Sequence, residues 1–316
     1  MIYPDTKSNA HLVNLTKLIK QKCLKAGFIK IGVSKAKVLN KEKEFFKSWL
    51  DDGKHADMEW LKQSMEKRVN PNLVMDDVTS VVSLAYLYDT SFVYKDDKEI
   101  PKISRYAWGN RDYHKIIKKK LKFLCKEIEG LYEGLKTKYY VDDGPVMDKV
   151  WAEKSGIGWM GKHANIINPD VGSFFFLSEI LINCELEYDE PIENLCENCS
   201  ICLEACPTGA LYEAYKLDSN LCISYQTIEN KNEIPDHINL NNWVFGCDIC
   251  QDVCPFNSKK LLTEEKDFYP KEKIFNQTFD NLLKISDVEF ENIFEGSAVR
   301  RVKYKSWRRN LKKALE

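Results

Sequence analysis

The chain has 316 residues, of which 44% are hydrophobic and 30% charged, and its formal net charge is -1. This composition is typical of a protein with a buried core, and it excludes a polycation that binds nucleic acid through its overall charge. The first residues lack the layout of a secretory signal. The apolar run at residues 173–182 is too short to cross a bilayer and contains Glu179, so we predict a cytoplasmic protein without a membrane span.

Helical and strand patterns alternate through about residue 185. Helices are predicted at residues 10–26, 44–52, 58–67, 111–131 and 146–156, and strands at residues 28–34, 80–88, 138–143, 165–169 and 173–184. This alternation predicts an α/β or α+β domain over residues 1–187. Residues 188–258, rich in cysteine and turn residues, predict a ferredoxin-like domain with two clusters. Residues 259–316 predict a short, basic helical tail.

Eight of the eleven cysteines lie between residues 196 and 254. In a reducing compartment such clustering favours metal binding over disulfides. Both groups end in C-x3-C-P, and the first reads C-x2-C-x2-C-x3-C-P, the bacterial ferredoxin run whose fourth cysteine binds the other cluster. We predict two [4Fe–4S] clusters, the first on Cys196, Cys199, Cys202 and Cys254 and the second on Cys206, Cys222, Cys247 and Cys250. Structural zinc is the alternative, although zinc sites rarely carry the third cysteine of such a run.

The other three cysteines, Cys23, Cys125 and Cys184, lie among apolar residues and are predicted to be buried thiols. Two cofactor motifs fit poorly. Residues 156–161 (GIGWMG) match G-x-G-x-x-G, but a helix precedes them and a strand follows, whereas a dinucleotide site needs the reverse order. Residues 112–117 begin like the histidine-ligated cobalamin motif D-x-H-x-x-G, with Asp112 and His114, but they end in isoleucine.

Several stretches together resemble the epoxyqueuosine reductase family. They are residues 67–74 (KRVNPNLV), 104–115 (SRYAWGNRDYHK), 141–181 (with VDDGP and GIGWMGKH), both cysteine runs, and the C-terminal GSAVRR…SWRRNLKKAL. The resemblance covers nearly the whole chain. It implies a cobalamin between the N-terminal and cluster domains, with no protein histidine below the metal, and clusters that pass electrons to the cobalt. The implied reaction removes the epoxide oxygen of epoxyqueuosine at the wobble position of tRNA and gives queuosine.

The departing oxygen needs a proton, and a carboxyl group shielded from water can supply one because burial raises its pKa. The family pattern V-D-(Ser/Thr)-x-P matches Asp142, so the resemblance makes Asp142 the proton donor. Asp143 stands where the family has a small hydroxyl residue. In the alternative interpretation one of the two aspartates caps the helix that starts near Pro145, and Asp143 suits that role better.

The resemblance also suggests which side chains contact the cobalamin. We predict these contacts from Arg105, Tyr106, Asp142, Gly158, Trp159, Met160, Gly161, Lys162, Asn165, Ser173 and Ser224. The glycines would allow close backbone approach, and Trp159 and Met160 would give apolar cover. His163 is a further polar candidate.

A tRNA substrate requires contacts to phosphates. Residues 300–313 contain eight lysines and arginines and no acid, and we predict contacts from Arg300, Arg301, Lys303, Lys305, Arg308 and Arg309, with Tyr304 and Trp307 interleaved. The lysines of the 111–126 helix are explained equally well by a solvated face. Many family members continue into helical repeats, and since this chain stops at Glu316 we expect that module to be missing.

Three other functions are considered. A reductive dehalogenase would combine the same cofactors but usually carries a twin-arginine signal. A plain ferredoxin-type electron carrier would leave the N-terminal residues unexplained, and a tRNA-binding protein with structural metal would need no cobalamin. We predict a monomeric enzyme that takes electrons from a low-potential donor.

Overall fold

The computed structural model describes residues 9–95, 97–258 and 261–316. Its helices are α1 (Asn9–Lys25), α2 (Asn40–Asp51), α3 (Glu59–Gln63), α4 (Met65–Val69), α5 (Tyr113–Glu129), α6 (Asp148–Lys154), α7 (Ile201–Glu204), α8 (Ile223–Ile228), α9 (Ile249–Asp252), α10 (Phe279–Leu283), α11 (Asp287–Ile293) and α12 (Lys303–Leu315). Its strands are β1 (Lys30–Lys35), β2 (Ser80–Leu87), β3 (Lys102–Ile103), β4 (Thr137–Tyr140), β5 (Trp159–Met160), β6 (Ile166–Ile167), β7 (Phe175–Ile182) and β8 (Trp243–Phe245). No helix within these ranges combines the length and apolar character that crossing a membrane requires.

The main sheet has four strands in the order β1-β2-β7-β4, and every neighbouring pair is antiparallel. The α+β form of the predicted fold is therefore confirmed. Both faces of the sheet are covered, which explains why β2 is buried at all eight positions and reads as a continuous apolar run. Because successive side chains alternate between faces, Val82 and Ile180 pack against α1 and α5, whereas Glu179 points to the face covered by α6.

Helix α5 forms because its apolar residues recur at helical spacing and its first turn is capped. The Asp112 side chain accepts a hydrogen bond from the backbone N–H of His114, at 2.9 Å. The His114 ring also pairs with Asp112, so the near-match to a cobalamin motif is a helix cap. The core beside α5 buries Cys23 and Cys125, as predicted, and Cys184 lies half-buried at its edge.

The glycine-rich residues 156–161 lead into a two-stranded antiparallel hairpin, β5–β6, directly after α6. A Cβ atom on Gly158 would lie 2.2 Å from the carbonyl oxygen of Ile167, so only glycine allows this close approach of two backbones. These residues therefore do not form the strand–turn–helix structure of a dinucleotide site.

The C-terminal segment is helical, as predicted, and it packs on the rest of the chain. Phe290, Trp307 and Leu311 share one core with Val244 and Phe245 of β8. The buried side-chain amide of Asn310 adds hydrogen bonds to the carbonyl oxygens of Thr227 (2.8 Å) and Val244 (2.9 Å). Residues 261–316 therefore help to hold α8 and β8, which lie next to Cys222 and Cys247 in the sequence. The domain boundaries at 187/188 and 258/259 stay a prediction.

Candidate active site

Asp142 lies in the turn after β4 with a φ of 54°, a left-handed conformation that non-glycine residues rarely adopt. Its Oδ2 accepts a hydrogen bond of 2.6 Å from the hydroxyl of Tyr113, in the first turn of α5. The Tyr113 ring stacks on Phe176 of β7, with centroids 4.1 Å apart and planes at 5°. A buried aromatic stack thus positions a hydroxyl that in turn holds the exposed carboxylate of Asp142.

The Asp143 side chain does not share the contacts of Asp142. Its side chain pairs with Lys118 on α5, and its Oδ1 accepts the backbone N–H of Val141 at 3.3 Å. Helix α6 begins only at Asp148, after Met147, without a side-chain cap. The prediction that Asp143 caps this helix is therefore wrong, and the reason is that residues 142–147 form an extended turn before the helix starts.

Lys149, in the first turn of α6, lies near Asp142. Its ammonium donates to the carbonyl oxygen of Ala164 at 2.7 Å and to Oδ1 of Asn165 at 2.9 Å. Lys149 is exposed at the surface, but the protein atoms around its ammonium lower its pKa by removing water, and nearby acidic groups oppose that effect. These groups are Asp142, Cys250, Asp148 and Cys222. The Asp142 turn and one group of cysteines are therefore both near Lys149, and we call the region between these residues the Lys149 crevice.

The cysteines fall into two sets by their electrostatic neighbours. Cys202 interacts with Cys196, Cys254 and Cys199. Cys250 interacts with Cys222, Cys206 and, most weakly, Cys202, and Cys247 interacts with Cys250 and Cys222. These sets coincide with the crossed pairing of the two predicted clusters. Across the described ranges, no three Cys, His, Asp or Glu side chains converge on a single ion position.

The second set, which contains Cys222, borders the Lys149 crevice. The thiol of Cys222 accepts backbone N–H groups of Tyr225 and Ser224, which lower its pKa against the larger effect of burial. Such amide donors stabilise a thiolate. The Ser224 side chain is half-buried beside this turn, two residues after the predicted cluster ligand Cys222, and its contact with a cobalamin stays a prediction.

The first set is enclosed by the β5–β6 hairpin. Trp159 is only 1% exposed, and its indole N–H points at the Cys196 sulfur, 3.3 Å away. Lys162 donates to the carbonyl oxygens of Glu197 (2.6 Å) and Cys199 (2.9 Å). Trp159 and Lys162, two predicted cobalamin contacts, therefore hold the first cysteine loop in this structure.

Gly158 and Gly161 allow the two strands of the hairpin to approach closely. A Cβ atom on Gly161 would lie 2.5 Å from the Ile167 side chain, and the backbone N–H of Met160 donates to Glu153 at 2.9 Å. These glycines therefore allow a close approach to the neighbouring strand, and their approach to a corrin stays a prediction.

Arg105, another predicted cobalamin contact, forms part of a buried ion-pair network. Its guanidinium lies 3.2 Å from Asp248, 2.5 Å from Asp252 and 3.5 Å from Asp89, and its side chain is 11% exposed. Asp248 stands between Cys247 and Cys250, so Arg105 ties the second cysteine loop to the N-terminal region.

Ser173 is likewise buried and bonded within the protein. Its hydroxyl donates to Gln251 at 2.9 Å, and its backbone N–H donates to Asn257 at 2.7 Å. It therefore joins β7 to the cysteine segment. Four of the predicted cobalamin contacts belong to the region of Asp142, Lys149 and the second cysteine set. They are Tyr106, Asp142, Asn165 and Ser224.

His163 adds an unpartnered polar atom close to Lys149. Its Nδ1 accepts the backbone N–H of Asn165 at 3.2 Å, which assigns the ring hydrogen to Nε2. Among the described residues nothing accepts from the buried Nε2. Burial, followed by the charge of Lys149, lowers the pKa of His163 to about 4, so the ring is neutral near pH 7 and presents one free N–H.

The basic residues predicted to contact tRNA divide into two groups. Arg300, Arg301, Lys303 and Lys305 are exposed, with Arg300 paired to Glu291 and Arg301 to Glu229. Arg308 and Arg309 instead donate to backbone carbonyl oxygens, those of Leu283 for Arg308 and of Gln226, Asn230 and Asn232 for Arg309. Trp307 is fully buried, so it belongs to the core and not to an RNA surface.

A separate cleft of about 1190 Å³ runs between α1 and α5. Lys115, Lys119 and Lys120 line it together with acidic residues, and Lys120 lies 3.9 Å from Glu265. None of the predicted catalytic or cluster residues lines this cleft. Its mixed charges agree with the solvated-face interpretation of the α5 lysines.

The residues that sequence reasoning missed are Tyr113, Lys149, Asp148 and Glu179. Tyr113 stands inside the near-match motif at residues 112–117, where only the histidine was considered. Asp148 and Lys149 follow Asp142 by less than two helical turns, and Glu179 is the one acid in an apolar strand run. Each signal was present in the sequence, but which groups lie together depends on the packing of α5 and α6 against β7.

Comparisons with known proteins agree with this geometry. The family model described as "4Fe-4S double cluster binding domain" matches residues 195–257, and the model "Epoxyqueuosine reductase QueG, DUF1730" matches residues 68–143. An epoxyqueuosine reductase of Cellulophaga algicola is 40% identical over 299 residues, which cover 93% of this chain and 96% of that protein.

Two solved structures are also similar. One is an epoxyqueuosine reductase with an epoxyqueuosine-modified tRNA-Tyr stem loop, with a TM-score of 0.88 and 32% identity over 96% of this chain and 81% of that chain. The other is an epoxyqueuosine reductase of Bacillus subtilis whose catalytic aspartate loop is swung out of the active site, with a TM-score of 0.87, 30% identity and the same coverage.

Proposed function

Because the chain belongs to the epoxyqueuosine reductase family and is an oxidoreductase with a 4Fe-4S cluster-binding domain, we propose that it reduces epoxyqueuosine to queuosine at the wobble position of tRNA. Two [4Fe–4S] clusters and a cobalamin are the proposed cofactors, and Asp142 is the proposed proton donor. In this reaction the epoxide takes up two electrons and two protons, both C–O bonds of the ring break, a C=C bond forms, and the oxygen leaves as water.

The observation that carries this proposal is the position of Lys149. The charges of the Asp142 carboxylate and of the Cys222 and Cys250 thiols all act on its ammonium. A reduction of this kind needs a proton donor and an electron source at one place, and these residues bring the two together in one crevice.

The residues fit a cobalamin in part. Tyr106, Asn165 and Ser224 remain in reach of the Lys149 crevice, and the free N–H of His163 is a buried donor that an amide oxygen on a corrin would satisfy. When bound, cobalamin supplies a low-valent cobalt as the reductant of the substrate. Arg105, Trp159, Lys162 and Ser173 are used within the protein and are not proposed as contacts.

Asp142 holds the proton that the leaving oxygen takes. Tyr113 donates to Oδ2 of Asp142, which fixes that oxygen and leaves Oδ1 to carry the proton. A swung-out catalytic aspartate loop is described for the Bacillus subtilis relative, and we propose that the turn at Asp142 is the corresponding loop. Lys149, fixed by Ala164 and Asn165, keeps a positive charge beside the place where negative charge develops on oxygen.

The tRNA is the proposed substrate, and a relative is described with a modified tRNA stem loop. The exposed residues Arg300, Arg301, Lys303 and Lys305 are the proposed phosphate contacts. Arg308 and Arg309 are left out because they bond to backbone carbonyl oxygens of this chain.

The test is an assay with matched variants. The protein is reconstituted without oxygen, given cobalamin and a strong reductant, and incubated with tRNA that carries epoxyqueuosine, and the digested nucleosides are analysed by mass spectrometry. We expect the wild type and Asp143→Asn to yield queuosine, and Asp142→Asn to lose at least about 100-fold in rate, the typical share of a general acid. Full activity of Asp142→Asn would refute the assignment of the acid. No conversion by a wild type that holds clusters and cobalamin would refute the reaction.

A further inference from the structure

Glu179 is a carboxyl group in the centre of the protein. It lies on β7, an inner strand of the sheet, and it is 0% exposed. Its partners across the strands are Ser83 on β2 and Tyr140 on β4. In the described part of the chain, no N–H or O–H group donates to either of its oxygens.

A carboxylate in this position would carry a full charge out of water with no donor to stabilise it, which proteins avoid by keeping the group protonated. A protonated carboxyl then needs an acceptor for its O–H. The group that faces it is the carboxyl of Asp148, in the first turn of α6, whose buried Oδ1 also lacks a donor. One proton between the two groups gives Oδ1 of Asp148 a donor and leaves the pair with a single negative charge.

The electrostatic interactions agree with a proton on Glu179. Burial, followed by Asp148 and then Asp142, raises the pKa of Glu179 well above its usual range. Burial also raises the pKa of Asp148, but its hydrogen bond with Glu179 lowers that pKa. The two groups titrate as a pair, and over a wide range of pH the pair holds one proton and one negative charge.

Charged groups from α4, α6 and the turn after β4 surround the pair. Arg68 of α4 interacts electrostatically with both Asp148 and Asp142, and it donates a hydrogen bond to the carbonyl oxygen of Val146 at 3.2 Å. Lys149 of α6 also interacts electrostatically with Asp148 and Asp142. Tyr140 flanks Glu179 on β4, and Asp142 follows that strand. Two cations therefore lie among three carboxyl groups.

We propose that Glu179 and Asp148 share one proton and that the single negative charge of this pair lies beside Asp142, where it offsets the positive charges of Arg68 and Lys149. The inference rests on the proposed role of Asp142. Asp148 and Glu179 are positioning residues, since they act through Asp142 and not on the substrate. Without the charge of the pair, Asp142 would face the two cations with no second negative charge to balance them.

Two variants separate the proton of the pair from its charge. Glu179→Gln replaces the shared proton by an amide N–H that donates to ionised Asp148, so the single negative charge remains. The double variant Asp148→Asn/Glu179→Gln removes the charge as well. Ser83→Ala is the matched control, because it changes the buried neighbour of Glu179 across the strand and leaves both carboxyls in place.

The shared proton is tested by infrared spectroscopy of the purified protein. We expect the wild type minus Glu179→Gln difference spectrum at neutral pH to show the C=O band of a protonated carboxyl group, and we expect the band to persist in Asp142→Asn and Ser83→Ala. A wild type without this band would overturn the shared proton whatever Asp142 does. This readout does not need bound cobalamin or turnover.

The charge is tested by the pH dependence of turnover. We expect Glu179→Gln and Ser83→Ala to keep the alkaline limb of the wild-type pH–rate profile, and the double variant to move this limb down by about one pH unit, because a nearby negative charge has been removed. An unshifted limb in a folded double variant would overturn the action on Asp142, while an inactive wild type or a fully active Asp142→Asn would instead count against the proposed function.

Discussion

At the scale of single residues, the hydroxyl of Tyr113 is the contact that gives Asp142 a fixed direction. The ring of Tyr113 is held by its stack on Phe176, so the phenol can position an exposed carboxylate without being mobile itself. Such pre-orientation matters because a proton donor must meet the leaving oxygen at hydrogen-bond distance.

Tyr113→Phe tests this contact. The variant keeps the ring stack and removes the hydrogen bond to Asp142, so we expect turnover to fall about tenfold, the equivalent of roughly 1.4 kcal/mol, with an unchanged melting temperature. Tyr86→Phe is the control, since it also removes a tyrosine–carboxylate hydrogen bond, to Glu265 at 3.2 Å, but away from Asp142. Equal losses in the two variants would mean that the hydroxyl of Tyr113 has no special role.

His163 gives a prediction on stability. Its pKa is lowered to about 4 by burial and by Lys149, so between its unfolded value near 6.5 and about 4 the unfolded chain binds more protons than the folded one. Stability is therefore lost as the pH falls through this window, by up to about 3 kcal/mol. Above about pH 6.5 this contribution is fully present.

The variant His163→Asn keeps an acceptor for the N–H of Asn165 and cannot titrate. Urea unfolding at several pH values should show a smaller loss for the variant than for the wild type between pH 6.5 and 4. Parallel pH profiles of the two proteins would contradict a buried neutral histidine.

At the scale of elements, helix α12 shows why a basic run is hard to interpret from sequence. Its charges suggested an RNA surface along its whole length, yet one face packs Trp307 and Leu311 into the core. Arg309 donates hydrogen bonds to three backbone carbonyl oxygens near α8, so some of the basic side chains of α12 stabilise the fold. The sequence contained the helical spacing of these apolar residues, but not the surface on which they pack.

The exposed lysines of α12 are the part that can contact phosphates. We expect Lys303→Gln/Lys305→Gln to weaken binding of the tRNA and to reduce the dependence of log affinity on log salt by about one unit per lost phosphate contact. Lys266→Gln/Lys284→Gln is a control for a general loss of positive charge. Binding measured by fluorescence anisotropy over a range of salt concentrations would contradict the prediction if both double variants had the wild-type slope.

The cysteine segment and the Asp142 turn differ in how far sequence could predict them. The spacing of the eight cysteines gave the crossed sets because cluster ligands follow a short local pattern. The surroundings of Asp142 could not be obtained this way, since Tyr113 comes from α5 and Glu179 from β7. Nothing in a single sequence states which distant elements become neighbours, and the contacts of Trp159 and Lys162 with the first cysteine loop were missed for the same reason.

At the scale of the whole molecule, the N-terminal region and the cysteine segment are joined through buried charges. Asp248, between two cysteines of the second set, is 0% exposed and accepts hydrogen bonds from Tyr94 at 2.7 Å and from the backbone N–H of Arg105 at 2.8 Å. The Arg105 guanidinium adds the opposite charge, at 3.2 Å. The second cysteine set, the proposed source of electrons, therefore depends on a connection that lies outside the Lys149 crevice.

Breaking this connection should be far more costly than breaking a surface ion pair. Arg105→Gln leaves Asp248 buried without its counter-charge, and the loss of one partner of a buried pair typically costs about 3–5 kcal/mol. Arg111→Gln removes an exposed pair, 3.6 Å from Asp267, where the expected cost is about 0–1 kcal/mol. We expect Arg105→Gln to lower both the melting temperature and the iron content of the purified protein, while Arg111→Gln changes neither. Similar behaviour of the two variants would show that the second cysteine loop holds its position without Arg105, and electrons would then reach the crevice through a segment that is stable on its own.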